Sequence, residues 1–291
     1  MPPAAPLDAG KGKAPLANTA LSAYTLPRPI ASDFDRQHDL MATNGTPPVV
    51  PPTLISINDL KTHCMTCSVR ELCLPVGLKP EAMHQLDQLV SDRQKRKRGE
   101  PIFGAGEPFE ALYAIRLGTC KTTMLAEDGR EQVTGYHMPG DLLGLDGIGH
   151  DRHGCQAIAL EDAEVCVLPF GHLEDLARRL PPLQKNLHRV LSREIIRDHN
   201  VMLLLGSMRS DERLAVFLLN LSDRYRDRGY SATEFVLRMT REEIGSYLGL
   251  KLETVSRLFS RFQQDGLIQI QGRAIKLLDT AALRQLAGQH G

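Results

Sequence analysis

Between residue 183 and about residue 207, apolar side chains return every third or fourth position. Leu191, Ile195, Asp198, Met202 and Leu205 follow one another at intervals of four, three, four and three. That spacing predicts a single long helix carrying the seam of a two-stranded coiled coil, and the pair Pro181 and Pro182 marks its start. One seam position is a carboxylate. Across a two-fold axis two Asp198 side chains would bring like charges together as the interface dries, so the pairing would be weak by construction.

Ahead of this helix the pattern is different. Short apolar runs at 111–115, 132–136, 157–160 and 164–168 are separated by glycines such as Gly118, Gly129, Gly140 and Gly144. Short strands with closely spaced turn signals predict an all-β barrel or double-sheet roll. Between residues 80 and 90 a helical period runs through Met83, Leu86, Leu89 and Val90, and the basic run 95–98 beside Gly99 reads as a solvated turn.

Behind the long helix, Leu214, Phe217, Leu218 and Leu221 predict a second amphipathic helix over 211–225. Thr240 and Glu243 then have capping-box spacing, and Gly249 permits a tight turn into a helix over 252–264 that places Val255, Leu258, Phe259 and Phe262 on one face. Two alternating runs, 267–270 and 274–277, meet at Gly272 and Arg273. Helix, turn, helix and hairpin in this order predict a winged helix-turn-helix. The fold class is therefore α+β: an N-terminal β-roll, a long dimerisation helix and a C-terminal winged helix-turn-helix. Boundaries fall at 1–53 for a Pro-rich arm, 54–79 for a cysteine-bearing loop, 80–180 for the roll, 181–208 for the dimer helix and 209–291 for the last unit.

Composition adds three constraints. Ten of the 18 prolines lie within residues 1–52, where no apolar period survives, so this arm is expected to be disordered. The chain has 35 basic and 35 acidic residues, so a nucleic-acid footprint must be local rather than global. No secretory h-region and no long apolar run is present, which predicts a cytoplasmic protein without a membrane partner, whose six cysteines are free thiols or metal ligands. No Walker loop, GxGxxG or paired catalytic carboxylates stand out, and an enzyme is not expected.

Candidate chemistry sits at both ends. Cys64, Cys67 and Cys73 form a Cys-x2-Cys-x5-Cys array, the kind of thiolate set that selects zinc or an iron-sulfur cluster, with His63 as a possible further donor and no fourth cysteine nearby. In the helix-turn-helix the second helix enters the major groove. Arg257 can donate two bonds to guanine, Glu253 can accept from cytosine and Ser256 can serve either base class. Lys251, Arg261 and Arg273 are placed to meet phosphate.

In element order and in the segments Cys64-x2-Cys67-x5-Cys73-x-Pro75, Leu112 to Arg116, Ile244 to Leu250 and Glu253 to Leu258, the chain resembles the cyclic-AMP receptor protein and FNR superfamily of bacterial transcription regulators, most closely its oxygen-sensing FNR branch. The resemblance covers about residues 60–288. It implies a cyclic-nucleotide-binding-like jelly roll, one [4Fe-4S] cluster per chain on Cys64, Cys67, Cys73 and a fourth cysteine of the roll, and a homodimer. It also implies double-stranded DNA bound at an inverted repeat like TTGAT-N4-ATCAA by Glu253, Ser256 and Arg257, and contact with RNA polymerase. The family's roll cysteine lies on a glycine-rich loop ahead of the last strands, which selects Cys155 over the in-strand Cys166, and the family's acidic control point falls on Asp198. The superfamily binds cyclic nucleotides with an acidic residue and an Arg-Ser pair; at 145–154 there is no Arg-Ser pair and Arg152 is the one Lys or Arg, so no cyclic nucleotide is expected. The other reading of the same residues is a zinc-structured, constitutive regulator of this type.

Overall fold

The computed structural model describes residues 63–126 and 129–288; the expected disordered arm and the first part of the cysteine loop lie outside them. A short 3-10 turn, Cys64–Thr66, leads to α1 (Pro80–Leu89), which begins on a proline whose missing N–H costs a helix nothing at that position.

The roll is built from β1 (Asp92–Arg96), β2 (Pro101–Phe103), β3 (Ala111–Leu117), β4 (Cys120–Leu125), β5 (Glu131–His137), β6 (Leu142–Leu143), β7 (Gln156–Ala159) and β8 (Ala163–Pro169). They form two four-stranded antiparallel sheets, β1-β8-β3-β6 and β2-β7-β4-β5. Ile102, Phe103, Ile115, Cys120, Leu143, Ala157 and Val165 from both sheets fill the space between them.

The basic run read as a turn is in part strand: Lys95 and Arg96 pair with Glu164 and Ala163 across β1 and β8. β1 is an outer strand of its sheet, where charged side chains are tolerated and protect the exposed edge, so no apolar alternation announces it.

α2 (Phe170–Arg179) and α3 (Pro181–Ser207) follow, and α3 is the long helix predicted from the seam. Its first half buries Leu183, Leu187 and Val190 against α1, α2 and the loop residues Leu74 and Leu78. The chain then enters α4 (Ser210–Asp227), β9 (Glu234–Val236), α5 (Arg241–Leu248), α6 (Leu252–Gln264), β10 (Ile268–Gln271), β11 (Ala274–Leu277) and α7 (Thr280–Leu286). A three-stranded sheet, β10-β11-β9, forms the wing. Phe217, Leu218, Ile244, Val255, Phe259, Phe262 and Ile275 make one core, which also takes in Val133 and Tyr136 from β5 of the roll.

Candidate metal centre and nucleic-acid interface

The cysteine loop lies over the outer face of β3 and β8. Cys64, Cys67 and Cys73 line a cavity of about 40 Å³ together with Leu74, Leu86, Ala114, Ile115, Arg116 and Cys166. The fourth thiol at this place is therefore Cys166 and not Cys155. Strand alternation puts Cys166 there: Val165 points into the core between the sheets, so its neighbour Cys166 points to the opposite face, where the loop lies. Cys155 packs instead against the inter-sheet core, and its Sγ donates to Asp146 Oδ2 at 3.3 Å. Cys120, fully buried in that core, is a packing residue.

Burial, and then the Asp87 carboxylate beside it, pushes the Cys64 thiol up to about 12; burial raises Cys73 to about 12 against a lowering by the Leu74 backbone. Cys166 is also raised by burial, with Arg93 opposing. All three are protonated near neutrality, so a metal must displace their protons to bind.

Asp87 on α1 is a residue that sequence reading missed. Its carboxylate accepts from the Cys64 N–H at 2.9 Å, pairs with His63 Nδ1 and lies 3.5 Å from Arg93 Nη2. His63, considered as a donor to metal, is thus engaged with Asp87. At the far end of the loop the buried Asn186 of α3 donates through Nδ2 to the carbonyls of Leu74 and Val76, each at 2.8 Å. The loop is fixed at one end to α1 and at the other to the long helix.

Along α3 the seam is only partly covered. Leu191 and Leu205 pack against cores of their own chain, whereas Ile195 is 56% and Met202 61% exposed, and Asp198 is exposed between them.

The DNA end is built as its caps predict. Thr240 Oγ1 accepts from the Glu243 N–H at 3.1 Å while Glu243 Oε2 accepts from the Thr240 N–H at 2.7 Å. Gly249 closes α5 at φ +63, a conformation that favours glycine. Gly245 is required for another reason, since a Cβ there would lie 2.6 Å from the Leu250 carbonyl oxygen. The guanidinium of Arg241 stacks 3.3 Å over the ring of Phe259, fastening α5 to α6, a contact that periodicity alone does not reveal. Lys251, Glu253, Ser256, Arg257 and Arg261 are exposed on α6 or just before it, and Arg273 is exposed in the wing turn. Arg261 is shared with Asp265 at 3.5 Å and Asp211 at 3.8 Å, whereas Arg257 makes no ion pair with a described residue.

A β-roll carried on a long helix that leads into a winged helix-turn-helix defines a DNA-binding transcription regulator. Residues 93–179 match the family described as cyclic nucleotide-binding domain, and residues 212–286 match the Crp-like helix-turn-helix domain. The chain is 48% identical over 227 residues to the transcriptional regulatory protein btr of Bordetella pertussis, covering 78% of this chain and 94% of that one. It is 47% identical over 228 residues to the transcriptional activator protein anr of Pseudomonas aeruginosa (78% and 93%), and 44% over 226 residues to the fumarate and nitrate reduction regulatory protein of Escherichia coli (78% and 90%). Among solved structures, FixK2 from Bradyrhizobium japonicum superposes with a TM-score of 0.63 at 34% identity, covering 68% of this chain and 98% of that one. The chain belongs to the CRP/FNR family and is an FNR/Anr-like transcription regulator, not an enzyme. Among the described residues no helix is long and apolar enough to cross a membrane.

Proposed function

We propose that this protein is an oxygen-responsive regulator of anaerobic metabolism in which Cys64, Cys67, Cys73 and Cys166 hold one [4Fe-4S] cluster per chain. The observation that carries the reading is the meeting of four cysteines, three from the loop and one from β8, at a single cavity. Four sulfur donors suit such a cluster. Bound there, a cluster supplies a centre whose integrity depends on oxygen. Relatives named anaerobic regulatory protein, in Pasteurella multocida and Haemophilus influenzae, share 45% identity with this chain and support the same reading.

The rest of the mechanism belongs to the chain's own residues. With the four thiolates engaged, the loop is held on β3 and β8, and Asn186 carries that constraint to the base of α3. Ile195, Met202 and their neighbours on the exposed face of α3 bury against a second copy, offsetting the repulsion between the two Asp198 side chains. In the homodimer two α6 helices stand about one helical turn of DNA apart, so Glu253, Ser256 and Arg257 of each read half of an inverted repeat such as TTGAT-N4-ATCAA. Lys251 and Arg273 add phosphate contacts. RNA polymerase is the partner at promoters, and the cytoplasm is the compartment.

No cyclic nucleotide is assigned to the roll. Asp146 is taken up by the Gly154 and Cys155 N–H groups at 2.7 and 3.1 Å, and Arg152 donates to the Gly106 carbonyl at 2.7 Å. The test is purification without oxygen followed by admission of air. About four irons per chain and a brown absorbance that bleaches as the dimer dissociates are expected. A colourless protein carrying zinc, indifferent to air, would overturn the sensor reading in favour of the constitutive regulator.

A further inference from the structure

The turn formed by residues 138–141, between β5 and β6, has the cysteine loop on one side and the DNA-binding unit on the other. Gly140 sits at φ +94, and a Cβ placed on it would lie 2.7 Å from the Cβ of Leu72, the residue before Cys73. The turn is also bonded to the wall of the thiol cavity: the Gly140 N–H donates to the Ile115 carbonyl at 2.8 Å, and the Ile115 N–H donates to the Asp141 carbonyl at 3.0 Å. Leu72 therefore rests on backbone that has no side chain to yield.

On the other side the Asp141 carboxylate gathers arginines from α3, from α4 and from the residue that caps the end of α4. Arg228 Nη2 donates to Oδ1 at 3.0 Å, Arg224 Nη2 donates to Oδ2, and Arg197 Nη2 of α3 stands 4.0 Å away. The Met138 N–H also donates to Oδ2, at 2.8 Å. The same arginines grip the strand end and the turn through main chain, Arg224 donating to the Tyr136 carbonyl at 2.7 Å and Arg228 to the Pro139 carbonyl at 2.8 Å. Burial alone would raise the Asp141 carboxyl, but Arg224, Arg197 and Arg228 hold it well below the usual carboxylate range. A buried ion cluster of this kind has no cheap alternative partners, so it moves as a unit or breaks.

We propose that Asp141 is the positioning residue through which the seating of the cysteine loop sets the placement of the DNA-binding unit. Leu72 presses the turn, and the turn holds the end of α4 through Arg224 and Arg228 and the middle of α3 through Arg197. This route is separate from the Asn186 tether, which reaches only the base of α3. Its meaning in the cell rests on the sensor function proposed above, but every contact in it belongs to this chain.

The experiment is hydrogen–deuterium exchange on the full chain, with and without Leu72→Ala, in the wild-type and Arg224→Lys backgrounds. Arg224→Lys keeps the charge and the fold but cannot span the Tyr136 carbonyl and Asp141 together; Asp141→Asn is the harsher companion variant. Leu72→Ala is expected to speed exchange about tenfold in the last turn of α4, a sub-global opening, and to leave α4 unchanged when Arg224→Lys is already present. An effect confined to residues 64–78, or one that reaches α4 equally in both backgrounds, overturns the proposal. A second readout is affinity for a TTGAT-N4-ATCAA duplex before and after air. Arg224→Lys should bind wild-type iron yet lose most of the wild-type change in affinity, and a full wild-type change would also overturn the proposal. If the wild type itself does not respond to air, the sensor reading fails, while the exchange result still decides the role of Asp141.

Discussion

Cys166 on β8 stands directly opposite Arg93 on β1 in the antiparallel ladder, and the guanidinium opposes the rise that burial imposes on the thiol. The same arginine reaches Asp87, which accepts from the Cys64 N–H. Strand cysteine and loop cysteine are therefore linked through one ion pair before any metal arrives. Cys166→Ala should abolish iron loading measured by absorbance and iron content, whereas Cys155→Ala should load normally. Equal loss in both would remove the ligand assignment.

The exposed stretch of α3 predicts the oligomeric response. Ile195→Glu should keep the iron-loaded protein monomeric in sedimentation velocity at concentrations where the wild type dimerises. Asp198→Ala should do the reverse and give a dimer in air, and a variant that stays monomeric there would show that this carboxylate is not the brake.

At the DNA end, base and phosphate contacts separate by their salt dependence. Arg257→Ala should weaken binding to the inverted repeat by about 1–3 kcal/mol and relax discrimination at one base pair of each half-site. Arg273→Ala should weaken all sequences alike and reduce the slope of log affinity against log salt by about 0.9 per half-site. Fluorescence anisotropy across a salt series distinguishes the two.

His137 makes stability depend on pH. It is enclosed in the roll, with Thr122 Oγ1 at 3.0 Å from Nε2 and Arg197 Nη1 at 3.4 Å from Nδ1. Burial, then the charge of Arg197, lowers its pKa from 6.5 to about 3. Below pH 6.5 the unfolded chain binds a proton that the folded chain refuses until about pH 3. Stability is therefore lost as pH falls through that window, by up to about 1.4 kcal/mol per pH unit. Urea unfolding at pH 7 and pH 5 should show His137→Gln losing less stability than the wild type over that interval.

What could be read from the sequence divides along physical lines. The helices α3, α4, α5 and α6 were legible because each has an apolar face that repeats, and α5 carries its own cap in Thr240 and Glu243. β4 was not, because Thr122 and Thr123 are buried there and polar residues mask the pattern. Three of the four cavity thiols declared themselves by spacing. The fourth did not, because which face of β8 Cys166 occupies depends on the register with β1 and β3, and the glycine-rich setting of Cys155 looked more like a ligand loop than a strand interior does. Asp141 was illegible for a different reason: its arginines lie 56 to 87 positions further along the chain, and nothing local marks them as its partners.

Asn186 holds the exit of the cysteine loop by two carbonyl oxygens, and every amino acid supplies the same carbonyl. The anchor is therefore blind to which side chains stand at its two attachment points. Substitutions between and beside the cysteines can alter how readily small molecules reach the thiols without loosening this tether at the base of α3. In evolutionary terms this tether to the base of the helix and the side chains that surround the thiols are separate traits, free to diverge among descendants of one scaffold.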